Sequence, residues 1–132
     1  MTDDIIVSDD NLACLVGGAK IVNAQFSAVF PNVHCFIGVD SGADQLLAAG
    51  VTPAAVIGDL DSVSAMARAT FASVVHHIAE QDSTDFEKAL TRVDAPLFYA
   101  LGFTGGRIDH TLAVLNVMAR YPQKRVLLID EE

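Results

Sequence analysis

The chain alternates between short apolar runs and segments in which apolar residues recur at helical spacing. The runs predict six strands, at about Leu12 to Val16, Cys35 to Val39, Ala55 to Ile57, Val74 to Ile78, Leu97 to Leu101 and Arg125 to Ile129. Helices are predicted in between, in a helical or irregular stretch up to Phe30, in a short segment ending at Gly50, over Val63 to Ser73, from about Thr84, and from Ile108 to near Pro122. This alternation predicts one α/β domain over residues 1–132, with a doubly wound, mostly parallel sheet and helices on both faces.

Two of these helices carry a detailed pattern. Thr84 and Glu87 have the spacing of a capping box. Behind this start, one helical face carries Phe86, Ala89, Leu90 and Val93. In the last helix, one face is traced by Ile108, Leu112, Leu115 and Ala119.

The composition narrows the class of protein. Hydrophobic residues make up 52% and charged residues 19%, which excludes disorder and favours a sheet buried on both faces. No apolar run reaches the length of a membrane span and the first residues are acidic, so we expect a cytoplasmic protein with no membrane partner. Cys14 and Cys35 lie in predicted strands and are expected to be buried free thiols.

The charge balance narrows the class of ligand. The net charge is −9 with only 8 Lys and Arg, which argues against a nucleic-acid partner. A small polyphosphate ligand would need metal ions to supply the missing positive charge.

Acidic residues follow two of the predicted strands. Asp59 and Asp61 stand after the third strand, and alternation along an extended chain would point them the same way, as suits a hard divalent cation. Alternatively, Asp61 or Ser62 caps the next helix and Asp59 is a solvated turn residue. Asp40 stands at the carboxyl end of the second strand.

A polar run of Gln81, Asp82, Ser83, Thr84 and Asp85 precedes the helix that starts near Thr84. An acidic residue in a first helical turn is favoured by the helix dipole, which accounts for Asp85 structurally. That account leaves Gln81 and Asp82 unexplained.

Glycine pairs follow two further strands. Gly105 and Gly106 precede Arg107 at a helix start, where free amides and a guanidinium favour an anion site. The alternative is that Arg107 pairs with Asp109 for structural reasons, and we favour the anion site. Gly17-Gly18 after the first strand is a weaker signal, which a plain tight turn explains.

Taken together, these segments resemble the nucleotide-binding catalytic domain of the thiamine pyrophosphokinase family. The matching segments are Asp40-Ser41-Gly42-Ala43, Ile57-Gly58-Asp59-Leu60-Asp61-Ser62, Asp82-Ser83-Thr84-Asp85-Phe86-Glu87-Lys88-Ala89-Leu90 and Gly105-Gly106-Arg107-Ile108-Asp109-His110-Thr111-Leu112. They occur in the family's order and span most of the chain. The resemblance implies transfer of pyrophosphate from ATP to the hydroxyl of thiamine, with Mg²⁺, giving thiamine diphosphate and AMP.

Roles are carried over from the resemblance by position. It implies metal-binding carboxylates at Asp59, Asp61 and Asp85, which with Arg107 and Asp109 form the implied catalytic set. The implied nucleotide-binding residues are Asp40, Gln81, Asp82, Ser83, Thr84, Gly105, Gly106 and Arg107. Asp40 can alternatively act on the alcohol or through a water. The family also implies a homodimer for its full-length members.

Some features depart from the family pattern. Ser41 stands where many relatives have Gly or Arg, and Asp44 where others have Asn or an apolar residue. Family members continue into a β-sandwich that helps to bind thiamine and to form the dimer. We therefore expect the chain to keep Mg-nucleotide binding and to transfer pyrophosphate poorly, so a nucleotide-binding module without transferase activity is the main alternative.

Two unrelated classes fit less well. Asp59-Leu60-Asp61-Ser62-Val63 matches the nucleophile motif of haloacid-dehalogenase phosphatases, but that motif belongs after a first strand and here follows the third. A signalling receiver domain needs an acidic pair after its first strand, where this chain has Gly17-Gly18-Ala19-Lys20.

Overall fold

The fold is a layered α/β domain in which strands and helices alternate along most of the chain. The computed structural model describes residues 4–130. Its strands are β1 (Val7–Ser8), β2 (Ala13–Val16), β3 (Cys35–Val39), β4 (Ala55–Gly58), β5 (Val75–His77), β6 (Val93–Asp94), β7 (Phe98–Leu101) and β8 (Val126–Ile129). Its α-helices are α1 (Asn23–Val29), α2 (Gly42–Ala49), α3 (Ala65–Thr70), α4 (Asp85–Arg92) and α5 (Ile108–Arg120), with single 3-10 turns over Phe30–Asn32 and Ala72–Val74.

The main sheet has six parallel strands in the order β5-β4-β3-β2-β7-β8. Every residue of β2, β3 and β4 is buried, as expected for central strands covered on both faces. β1 and β6 form a separate two-stranded parallel pair. The doubly wound parallel sheet predicted from the sequence is confirmed, and its six strands are those predicted to within one residue at each end.

Helices cover both faces of this sheet. One face packs against α4 and α5, and its core includes Leu15, Ile37, Ile57, Phe86, Leu90, Phe98, Val114 and Val117. The other face packs against α1, α2 and α3 through two clusters that include Cys14, Val16, Phe26, Phe36, Leu46, Val56 and Phe71. Cys14 and Cys35 therefore lie in the cores of opposite faces, and both are buried free thiols, as predicted.

Strand order places the loops that build the site. The chain passes from β2 to β3, β4 and β5 on one side, then returns to add β7 and β8 on the other side of β2. Such a reversal opens a crevice at the carboxyl ends of the strands. Gly42, at the start of α2, allows the loops to pack closely here, because a Cβ at this position would lie 1.7 Å from the Val16 carbonyl oxygen.

The structure corrects three local predictions. The third helix begins at Ala65 rather than Val63, because Ser64 is its N-cap and accepts a hydrogen bond from the Ala67 amide. The helix from Thr84 ends at Arg92, and Val93 is buried as the first residue of β6. The sequence did not predict the pairing of β1 with β6, which involves only two residues of each strand.

The apolar face traced in the last helix is not the one that packs on the sheet. Ile108, Leu112 and Leu115 are 77%, 58% and 45% exposed, whereas Val114 and Val117 on the other side of α5 are buried. Both sides of α5 carry apolar residues at helical spacing, so periodicity finds the stripes without deciding which one is buried.

No helix within residues 4–130 is long and apolar enough to cross a membrane.

Glu87 joins α4 to α5. Its carboxylate accepts two hydrogen bonds from the Arg120 guanidinium, at 2.8 and 3.1 Å, and one from the Tyr121 hydroxyl at 2.7 Å. The predicted capping box is therefore only half formed: Thr84 accepts from the Glu87 amide, but the Glu87 side chain bonds α5 instead of returning to the helix start. Hydrogen bonds from Arg120 and Tyr121 hold the pKa of Glu87 below its usual value.

Glu87→Gln is expected to lower the free energy of unfolding by about 1 kcal/mol at neutral pH, because it replaces a charge-assisted contact with a neutral one. A depressed carboxylate pKa stabilises the fold above the ordinary Glu pKa, and this contribution is lost as pH falls through the folded value. The difference between the two proteins in denaturant titrations should therefore be present at pH 7 and shrink as the pH falls below the ordinary pKa of Glu.

Asp10→Asn is the control, because Asp10 is an exposed carboxylate that lies outside α4 and α5. An equal loss of stability in both variants at pH 7 would contradict a specific role for the contact between α4 and α5.

Candidate functional site

A cleft of about 540 Å³ lies at the carboxyl edge of the main sheet, where the strand order reverses. Its walls come from the loops after β2, β3, β4 and β7 and from the first turns of α4 and α5. The residues that line this cleft include Gly17, Gly18, Asp40, Asp59, Gln81, Ser83, Thr84, Asp85, Lys88, Phe103, Gly106 and Arg107.

Three carboxylates converge in this cleft. Asp40 follows β3, Asp59 follows β4, and Asp85 is the first residue of α4; each offers an oxygen within 4.8 Å of the other two. The Asp59 amide donates to Asp85 Oδ1 at 3.1 Å, which fixes two of the three relative to each other. We call Asp40, Asp59 and Asp85 the carboxylate cluster.

Gly58 leaves room for the carboxylate cluster. Its φ of +148° is rarely adopted by residues with a side chain, and a Cβ there would lie 3.1 Å from Asp85 Oδ1 and 3.2 Å from the Asp40 Cβ. The glycine that ends β4 thus allows carboxylates from β3 and α4 to approach each other.

Asp40 is partly buried and lies next to two other carboxylates. Burial, followed by the charges of Asp85 and Asp59, raises the pKa of Asp40 to about 6, although the Ser41 and Ser62 amides oppose the rise. Its Oδ1 atom is buried and has no hydrogen-bond partner among the described residues. A buried acceptor oxygen next to two other carboxylates fits a hard divalent cation such as Mg²⁺, which binds oxygen ligands.

Backbone strain is concentrated at the same place. Within residues 4–130, Asp40 and Leu60 are the non-glycine residues with positive φ, at +48° and +66°. Left-handed backbone is unfavourable for a bulky residue such as Leu and is typical of sites that hold a functional geometry. Both residues directly adjoin or belong to the carboxylate cluster.

The structure does not bring Asp61 into the cluster. The prediction that Asp59 and Asp61 point the same way assumed an extended chain, and the left-handed Leu60 between them breaks that alternation. Asp61 is exposed, and its amide donates to Asp59 Oδ1 at 3.1 Å. Neither Asp61 nor Ser62 caps α3, which is capped by Ser64. The metal-binding role of Asp61 stays a prediction.

The polar loop before α4 forms one rim of the cleft. Gln81, Ser83 and Thr84 line the cleft, whereas Asp82 does not. Glu80 organises this loop by accepting hydrogen bonds from the Asp82 and Ser83 amides and from the Ser83 hydroxyl. The sequence therefore pointed to the correct loop but did not identify the residue that orders it.

Arg107 forms the pair that the structural alternative predicted. Its Nε and Nη2 atoms donate to the two oxygens of Asp109 at 3.1 and 2.6 Å. Both side chains are highly exposed, at 71% and 58%, so opening the pair costs little. Gly106 and Arg107 line the cleft, and Gly105 and Asp109 lie outside its lining. The anion-binding role of Arg107 stays a prediction that this pair does not oppose.

Several residues of the site were missed from the sequence. Gly17 and Gly18 line the cleft, and the Gln45 amide holds their loop by donating to the carbonyls of Gly17 and Ala19 at 2.7 and 2.6 Å. Lys88, buried beside Asp85, was also missed. Its spacing of three residues from Asp85 on one helix was the available signal.

Comparison with known proteins connects this architecture to one family. Residues 26–129 match the family described as "Thiamin pyrophosphokinase, catalytic domain". Thiamine pyrophosphokinase of Bacillus subtilis (strain 168) is 30% identical over 127 residues, covering 89% of this chain and 59% of the relative. Thiamine pyrophosphokinase 2 of Arabidopsis thaliana is 25% identical over 132 residues, covering 90% and 46%. The chain thus spans about half to three fifths of the length of these relatives.

Solved structures of thiamine pyrophosphokinases also superpose on this chain. The thiamin pyrophosphokinase of Geobacillus thermodenitrificans superposes with a TM-score of 0.75 at 29% identity, over 90% of this chain and 59% of that one. The Bacillus subtilis thiamine pyrophosphokinase structure gives 0.74 at 27% identity, over 92% and 61%.

Asp40→Asn is expected to stabilise the fold at pH 8 by about 1 kcal/mol in the presence of a chelator. A raised carboxylate pKa means that ionisation destabilises the fold: the cost appears as pH rises from the unfolded value and is complete above the folded one, here about 6. The gain should therefore be present at pH 8 and absent near about pH 3.5 in thermal unfolding. A loss of stability at pH 8 would contradict the expectation that ionisation of Asp40 destabilises the fold.

Proposed function

The chain belongs to the thiamine pyrophosphokinase family, and from this premise we propose that it binds ATP with Mg²⁺ in the cleft and transfers pyrophosphate to the hydroxyl of thiamine. The observation that carries the proposal is the convergence of three carboxylates at the edge of a parallel sheet where ligands bind, one of them with a buried oxygen that no described residue hydrogen-bonds. Membership of the family is shown, whereas the binding of ATP, thiamine and Mg²⁺ and the transfer reaction are proposed.

In the proposed reaction, the thiamine hydroxyl oxygen bonds to the β-phosphorus of ATP. The bond from that phosphorus to the oxygen bridging to the α-phosphorus breaks, AMP leaves with the electron pair of that bond, and the hydroxyl proton is released to water. Mg²⁺ at the carboxylate cluster would offset charge on the phosphate oxygens. Such transfer depends mainly on positioning and charge, which fits a cleft that contains three carboxylates and an arginine.

The chain's own residues have distinct proposed tasks. In the proposal Asp40, Asp59 and Asp85 hold the cation. The set of ligands predicted from the sequence instead consists of Asp59, Asp61 and Asp85. The amides at the start of α5 and the Arg107 guanidinium bind phosphate oxygens, and Asp109 orients Arg107 through their paired hydrogen bonds. Gln81, Ser83 and Thr84 contact the nucleotide from the rim of the cleft.

Binding and transfer are separable claims, because the chain spans less than two thirds of the length of its relatives. Incubation of the chain with Mg-ATP and thiamine, followed by chromatographic detection of thiamine diphosphate and AMP, tests transfer. Mg-ATP binding without either product would favour the alternative, a nucleotide-binding module. Absence of both would contradict the proposed function.

The metal ligands can be assigned by calorimetric titration of ATP with Mg²⁺ and with chelator. Asp85→Asn should weaken Mg-ATP binding roughly ten- to a hundredfold, because it removes a carboxylate ligand and its charge. Asp40→Asn should do the same if the carboxylate cluster binds the metal, and Asp61→Asn should do so only if the sequence-based set is correct. Asp94→Asn, at the exposed end of β6, is the control for loss of one negative charge. Normal Mg-ATP binding by Asp85→Asn would refute both ligand sets.

Arg107→Ala should weaken ATP binding about tenfold with chelator present as well as with Mg²⁺, because it removes a phosphate-binding charge rather than a metal ligand. Arg125→Ala, which removes an exposed arginine before β8, is the matched control. Unchanged ATP affinity in Arg107→Ala would leave only the structural pair with Asp109.

A further inference from the structure

Lys88 is the one buried charged side chain among the described residues, with only 2% of its surface exposed. Its Nζ atom lies 3.4 Å from Asp85 Oδ1, the same oxygen that accepts the Asp59 amide. Lys88 therefore belongs to the wall of the cleft and touches the carboxylate cluster directly.

Packing fixes this position. Lys88 lies one helical turn after Asp85, and its neighbours Phe86, Ala89 and Leu90 anchor α4 in the core. A buried ammonium is unfavourable unless a negative charge compensates it, so the lysine and the cluster depend on each other. The ammonium charge is thus a fixed part of the site.

This fixed charge affects a cation and an anion in opposite ways. The three carboxylates carry a formal charge of −3, and Lys88 reduces it to −2, which one divalent cation neutralises. Without Lys88 the cluster attracts a divalent cation more strongly, but the cluster with its cation keeps a charge of −1, which repels a polyphosphate. At such short distances within a partly buried site, these effects are weakly screened.

We propose that Lys88 is a positioning counter-ion that weakens binding of a divalent cation alone and strengthens binding of the cation together with a polyphosphate. The site then selects the metal as its nucleotide complex. This inference rests on the proposed function and deepens it, because it sets the form in which metal enters the site.

A purely structural lysine makes a different prediction. If Lys88 only holds the first turn of α4 through its spacing of three residues from Asp85, its loss would disorder the cluster. Affinity for the metal alone and for the metal with ATP would then fall together. The sign of the change in metal affinity separates the two roles.

The test compares wild type with Lys88→Met, which keeps an unbranched apolar stem and removes the charge. Binding of Mn²⁺ alone is measured from the loss of the free-ion signal in electron paramagnetic resonance, and binding of Mg-ATP by calorimetry. We expect Lys88→Met to bind Mn²⁺ about tenfold more tightly and Mg-ATP about tenfold more weakly than wild type.

Lys124→Met is the matched control for loss of one positive charge. Lys124 is also partly buried, but it donates to the Val93 carbonyl and lies over the Phe98 ring at the amino end of β7, the opposite end from the cleft. Lys88→Arg keeps the charge and should bind Mn²⁺ as weakly as wild type. Lys124→Met should bind Mn²⁺ and Mg-ATP with the same affinities as wild type.

Each outcome decides the inference. Unchanged or weaker Mn²⁺ binding in Lys88→Met overturns it, even where wild type binds Mg-ATP and the proposed function stands. If neither wild type nor Lys88→Met binds Mn²⁺ or Mg-ATP, both the inference and the proposed function fail.

A measurement on the wild-type chain covers the case in which Lys88→Met does not fold. The chain's lysines are Lys20, Lys88 and Lys124, so their side-chain carbon signals can be assigned with Lys20→Arg and Lys124→Arg. Added Mg²⁺ should shift the Lys88 signal and leave Lys124 in place. A Lys88 signal that does not move while Mg²⁺ binds overturns the inference.

Discussion

The fold has to hold Asp40, Asp59 and Asp85 together at the carboxyl edge of the sheet against their mutual repulsion. Burial, followed by the charges of Asp85 and Asp59, raises the pKa of Asp40 to about 6, and one Asp40 oxygen is buried without a hydrogen-bond partner within residues 4–130. The fold holds them there with left-handed backbone at Asp40 and Leu60 and with a glycine at position 58. Stability is thus given up locally to keep the three carboxylates close together, as is typical of functional sites.

α4 connects this site to the rest of the domain. Asp85 and Lys88 face the cleft from its first turns, while Glu87 bonds Arg120 and Tyr121 of α5. The amino end of α5 carries Arg107 and the amides proposed to bind phosphate. The contact between the two helices therefore fixes the proposed metal-binding and phosphate-binding halves of the cleft relative to each other.

The sheet could be predicted from the sequence because its central strands are buried on both faces and read as continuous apolar runs. The orientation of α5 could not, because Ile108, Leu112 and Leu115 form an apolar stripe as regular as the one that contains Val114 and Val117. Only the packing of the whole domain decides which stripe faces the core. The small β1–β6 pair is set by long-range contact and leaves no periodic signal.

The carboxylate cluster shows which features of a site cannot be predicted from the sequence. Asp59 and Asp85 were predicted as metal ligands, and the structure brings them together with Asp40, which was predicted to contact the nucleotide or to act on the alcohol or through a water. Spacing favoured Asp61, but one left-handed residue, Leu60, turns the chain and exposes it. Backbone dihedrals at the ends of strands are chosen by tertiary packing, so the residue types at a site can be predicted from the sequence while their directions cannot. Asp40, on the loop after β3, therefore lies in the carboxylate cluster, whereas Asp61, on the loop after β4, lies outside it.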